Sequence, residues 1–152
     1  MRFVADSMVG RLARWLRVLG YDTHYQSRYE PGEMERFVSQ GRTLLTRHRG
    51  RAEMMKGRAL LIHGNGVGEQ ISLLKKDLGL EPEPSALFSR CLGCNVLLRP
   101  VKEGPAEGEV PEYVLYQNRD RIRFCPSCGR YFWPGSHRMR MEERLREWGF
   151  SR

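Results

Sequence analysis

The sequence has no apolar run near the roughly 18 residues that a membrane-spanning helix needs, which excludes that class of membrane protein. It has almost no lysine: of 26 basic residues only Lys56, Lys75, Lys76 and Lys102 are lysine, and the rest are arginine. Cysteine is confined to four positions, and there is no internal repeat or low-complexity tract. The first residues, Met1-Arg2-Phe3-Val4-Ala5-Asp6, meet charge too early for a secretion signal, so a cytoplasmic location is expected. What is present suits a folded chain: 40% hydrophobic residues in 152 are enough for one core, or for a small domain with an added module. The net charge is +8, carried by arginine, whose planar fork of donors matches phosphate and stacks on bases. A nucleic-acid partner is the reading that charge favours. The plain alternative is a genome whose base composition favours arginine codons.

Strand and helix patterns alternate over the first eighty residues. Strands are expected at Arg2 to Asp6, Asp22 to Tyr25, Thr43 to Thr46 and Ala59 to His63. Helices are expected at Met8 to Leu19, capped by Gly20, from Pro31 to about Gln40, at Arg51 to Lys56, and at Val67 to Leu78. That order implies an α/β fold with a parallel sheet and right-handed crossovers. Residues 1–80 therefore read as one domain. The stretch 81–88, opening with Glu81-Pro82-Glu83-Pro84-Ser85, reads as a linker, and residues 89–152 as a second module. In that module a Gly-, Pro- and Glu-rich loop spans Glu103 to Pro111, strands are expected at Tyr113 to Tyr116 and Ile122 to Phe124, and a helix closes the chain from Ser136 to Trp148.

All four cysteines fall into two pairs, Cys91-Leu-Gly-Cys94 and Cys125-Pro-Ser-Cys128. Two-residue spacing aims both sulfurs of a pair at one ion, with Gly93 and Gly129 expected to ease the backbone. Two disulfides or a redox pair are the other uses of such cysteines; a reducing cytoplasm and the doubled spacing disfavour them. The expectation is a zinc ribbon in which Cys91, Cys94, Cys125 and Cys128 hold a structural zinc. Around it lie Arg138 and other arginines, with Tyr131, Phe132 and Trp133. These residues stack on unpaired bases and grip phosphates, or pack the ribbon.

Asp6 closes the first strand. In an open parallel sheet, ligands collect beyond the C-terminal strand ends, where Thr46-Arg47-His48 and His63-Gly64-Asn65 also arrive. A carboxylate cluster there holds Mg²⁺ or Mn²⁺; alone, Asp6 is an N-cap of the following helix. Arg11, Arg14 and Arg17 step by three along that helix, either facing RNA or forming a solvated face. Arg47 and Arg49 flank His48 in a basic turn. Gly64-Asn65-Gly66-Val67-Gly68 lacks the Lys-Ser/Thr of a nucleotide loop and reads as a turn.

The stretch from Ala5 to Thr23, ADSMVGRLARWLRVLGYDT, resembles the opening of the Mut-seven C-terminal RNase family. The resemblance continues through Gly41 to Arg47, Phe88 to Cys91, and Trp133 to His137. It implies a three-layer α/β/α PIN-like domain followed by a zinc ribbon, with metal-dependent ribonuclease activity; RNA, structured or ribosomal, is the expected partner. It also implies Asp6 and Glu33 as acids binding magnesium or manganese, with Glu30 a nearby substitute. Asp22 matches the motif, although it begins a strand. The family's third acid is replaced by His48, and a further acid by Asn65. His48 is then a surface residue of the basic turn, a metal ligand or a proton carrier. An altered catalytic site of Asp6, Glu33, His48 and Asn65 is the leading expectation. A non-catalytic RNA- or ribonucleoprotein-binding module is its rival.

Overall fold

The computed structural model describes residues 1–101 and 108–150; positions 103–107 of the expected acidic loop lie outside the described residues. The chain divides into two compact units, Met1–Asn95 and Val96–Arg152. Among the described residues no helix is long and apolar enough to cross a membrane.

In the first unit strands and helices alternate as the sequence pattern requires: β1 (Arg2–Ala5), α1 (Gly10–Val18), β2 (Asp22–Tyr25), α2 (Glu33–Ser39), β3 (Thr43–Thr46), α3 (Arg49–Met54), β4 (Ala59–Leu61) and α4 (Val67–Leu78). The strands form one parallel sheet in the order β2-β1-β3-β4. Val4 and Leu44 are register partners and pack with Met34 and Val38 of α2 and with Met55. Alternation along a strand then turns Phe3, Ala5 and Leu45, all fully buried, to the opposite face. Helices α1 and α4 pack together, with Leu12, Leu16, Ile71 and Leu74 excluded from water. The result is the expected α/β architecture, a parallel sheet flanked by helices.

Helix α1 ends in the way its glycine foretells. Gly20 takes φ 92°, Tyr21 N–H donates to Leu16 O at 2.9 Å and Gly20 N–H to Arg17 O at 3.0 Å, a Schellman closure. A side chain at Gly20 would also meet the Ala86 carbonyl at 2.5 Å, because the chain beyond α4 returns to this corner. The segment expected as linker holds a single 3-10 turn at Pro84–Ala86, and Phe88 N–H then donates to Val18 O.

The second unit contains β5 (Arg99–Pro100), α5 (Glu112–Asn118), β6 (Arg123–Phe124), β7 (Tyr131–Phe132) and α6 (Ser136–Glu147). Its strands form an antiparallel sheet in the order β5-β6-β7. The strand expected at Tyr113 to Tyr116 is instead part of helix α5. Val114 is buried with Val110 and Ile122 while Tyr113 and Tyr116, three residues apart, face solvent, a helical period that an alternating reading misses. The hairpin forms one step later, between β6 and β7, around Cys125 and Cys128.

Candidate functional site

Asp6 follows β1 at the C-terminal edge of the first sheet, as expected, and its side chain is only 5% exposed. It caps no helix: the turn after it receives no side-chain hydrogen bond. Its carboxylate is instead engaged from three sides. Thr46 Oγ1 at the end of β3 donates to Oδ2 at 2.8 Å, Arg51 Nη1 forms an ion pair with Oδ2 at 2.7 Å, and Ser7 Oγ donates to Oδ1 at 3.1 Å. Burial alone would raise the Asp6 pKa. The hydrogen bonds from Thr46, Arg51 and Ser7, together with the Arg51 charge, outweigh it and hold the carboxyl below its ordinary value.

The other residues expected beside Asp6 are occupied locally. Glu33 Oε2 accepts from Glu30 N–H at 2.9 Å and from Gln26 Nε2 at 3.1 Å. The Glu30 amide foremost, and then Gln26, lower its pKa. His48 is the N-cap of α3: its Nδ1 accepts from Arg51 N–H at 3.1 Å, while its own N–H donates to Thr46 Oγ1. Asn65 sits in an exposed turn whose backbone N–H is held by Glu69. Among the described residues the one group of three or more His, Cys, Asp or Glu able to share an ion is the four cysteines, so Asp6, Glu33 and His48 do not converge. A divalent ion needs several oxygens around it. Here Arg51 already supplies a cation at the central carboxylate. Asp22 lies at the far end of the sheet, paired in register with Arg2 and bonded to Arg42 at 2.7 Å.

The arginines divide as well. A cleft of about 560 Å³ opens beside Ser7, walled by Arg11 and Arg14 of α1, Arg47 after β3, Tyr25 and Asn65. Among the described residues no carboxylate lines it. Arg47 is set in place by a 2.7 Å bond from Nη1 to Gly64 O. Gly10 allows Tyr25 to close the cleft wall: a Cβ there would meet the ring at 2.8 Å. Arg49, exposed at the start of α3, borders a separate shallow cleft with Lys56 and His63. Arg17 corrects the expectation of a third RNA-facing residue on α1, since it is 7% exposed and its Nε and Nη1 donate to main-chain carbonyls. Arg138 is half-buried and pairs with Glu142 one helical turn on. The residue that sequence reasoning missed is Arg51. Nothing local distinguishes it from Arg47 and Arg49, and only the path of α3 carries it back over the end of β1.

The four cysteine sulfurs lie within 4.8 Å of one another. A tetrahedral zinc with bonds of about 2.3 Å separates its sulfurs by about 3.8 Å, so the set is positioned to form a zinc-binding site. Both pairs make the same knuckle. Cys94 N–H and Cys128 N–H each lie 3.4 Å from the sulfur of the first cysteine, and the residues that follow, Asn95 and Gly129, take φ 69° and 76°. The left-handed position in the first knuckle is thus Asn95, not the expected Gly93.

The family model described as the Mut7-C RNAse domain matches residues 1–145. Comparisons with curated proteins and with solved structures find no match. The matched span takes in the strand-end acid, the arginine-lined cleft and all four cysteines, and on that span the chain belongs to the Mut7-C RNAse domain family, with a ribonuclease-related function.

Proposed function

We propose that the chain is an RNA-binding protein of this ribonuclease family that grips the phosphate backbone in the cleft of Arg11, Arg14 and Arg47. The observation that carries this reading is a wall with three guanidinium groups and, among the described residues, no carboxylate, at the sheet edge where α/β folds take their ligands. Arg47, fixed by Gly64, is preorganised for phosphate, and Tyr25 offers a ring beside it. The zinc of the cysteine centre is structural, because four thiolates leave no open position.

Hydrolysis by a divalent ion is the second reading, favoured by one observation: Asp6 is an ionised carboxylate at the strand end adjoining the cleft. The test joins both. Anisotropy of a labelled RNA is followed as salt is raised, for the full chain, Arg14→Gln with Arg47→Gln, and Asp6→Asn. The double variant is expected to lose affinity, and the slope of log K against log salt falls by about 2 if each arginine contacts one phosphate. Unchanged affinity and slope would remove the cleft from the argument. Incubation with Mn²⁺ then separates enzyme from binding module: cleavage abolished by Asp6→Asn establishes the enzyme, and binding without cleavage establishes the module.

A further inference from the structure

Arg17 is the most enclosed charge of the first unit apart from Asp6, and among the described residues no carboxylate lies within ion-pair distance of it. A buried guanidinium needs both hydrogen-bond partners and a counter-charge. Its partners are carbonyls: Nε donates to Thr23 O at 3.0 Å, and Nη1 to Leu92 O at 2.8 Å and Gly93 O at 3.2 Å. Leu92 and Gly93 are the two residues between Cys91 and Cys94. Those same cysteines become thiolates when they hold zinc.

The flanks of this knuckle are pinned to the same corner. Asn95 Oδ1 accepts from Thr23 N–H at 3.0 Å, and its Nδ2 donates to Asp22 Oδ1 at 2.7 Å. Arg90 donates to Gly20 O and Asn95 O. Four thiolates around a divalent ion leave two uncompensated negative charges, so such a centre calls for a nearby cation, and Arg17 is a buried cation without a carboxylate.

We propose that Arg17 is the positioning residue of the four-cysteine metal centre: it holds the Leu92–Gly93 turn in its ligating shape and supplies the positive charge that a zinc tetrathiolate lacks. The inference stands on the knuckle alone and does not depend on RNA binding.

The test is zinc competition on the full chain against a chromogenic chelator, comparing Arg17→Gln, Arg17→Lys and Arg36→Gln, the last removing one positive charge from exposed α2. Arg17→Gln is expected to weaken zinc by roughly tenfold or more, the usual effect of losing a group that supports metal ligands. Arg17→Lys, which keeps the charge but not the fork, should fall between, and Arg36→Gln should match the parent. A folded Arg17→Gln chain with parental zinc affinity would overturn the proposal. Should that variant not fold, the unsubstituted chain decides by NMR. The Arg17 Nε–H is expected to exchange slowly with zinc bound and much faster after chelation; equal exchange in both states would overturn the proposal.

Discussion

The two compact units bury their apolar surface to very different extents. The first has four parallel strands and a core in which Phe3, Leu12, Leu16, Leu44, Leu45 and Ile71 are almost wholly excluded from water. The second has strands of two residues, and its cluster of Val110, Val114 and Ile122 is small. Burial at about 25 cal/mol per Å² supports the first without help, whereas so short a sheet is not independently stable. The second unit is therefore expected to lean on the metal centre to which Cys125 and Cys128 contribute, whereas the arginine cleft lies on the first.

Chelating zinc from the full chain is the sharpest way to break this comparison. Structural zinc contributes about 10–16 kcal/mol to a small folded module, so peptides covering 120–135 should exchange their amides rapidly after chelation. Peptides covering 2–19 should remain protected in hydrogen-exchange mass spectrometry. Equal loss of protection in both would mean that the units are not independent.

Next in size are core truncations. Leu16→Ala or Leu44→Ala should cost about 3–5 kcal/mol in denaturant unfolding, because neither site is exposed and the surrounding layers cannot collapse. A far smaller cost would place the stability of the first unit outside its sheet and helices.

The Asp6 pair comes third. Asp6→Ala leaves Thr46 and Arg51 without their acceptor and should cost about 2–3 kcal/mol, less than a fully buried pair because Arg51 is partly exposed. The folded pKa of Asp6 is lowered, so its contribution is fully present above the unfolded value of about 3.9 and is lost as pH falls through the lower folded value. Stability measured from pH 5 downward should therefore fall less steeply in Asp6→Asn than in the parent. The same pair tests the divalent-ion reading: if Asp6 takes Mn²⁺, Arg51→Gln removes the competing cation and should raise that affinity, read by the relaxation rate of water protons, and no Mn²⁺ effect in either chain would count against that reading. The smallest effect belongs to the ribbon surface, where Arg138→Ala removes an i,i+4 pair worth about 0.3–0.5 kcal/mol in thermal unfolding.

The alternation of strands and helices and the cysteine spacing were legible because both are short-range signals. The helix at Tyr113 to Tyr116 was not, since two tyrosines around a Val-Leu pair satisfy a strand pattern and a helical one equally over four residues. The stripe of Arg11, Arg14 and Arg17 was half legible. Each step of three drifts by about 60° around a helix, which leaves Arg11 and Arg14 in the cleft wall and carries Arg17 to the buried side. At the strand ends, sequence brought Asp6 and Thr46-Arg47-His48 to the same edge, but the acids expected to meet there are each engaged by neighbours.

Period and spacing are properties of a few consecutive residues, and on their own they determined the α/β class, the parallel sheet and the four metal-ligating sulfurs. Which charge answers which is a property of register and packing between segments far apart in the chain. Only the tertiary structure could set Arg51 against Asp6 across forty-five positions and Arg17 against a knuckle seventy-five positions away. Buried charges take whatever partner the fold delivers, because leaving one unanswered costs more than any local preference can repay.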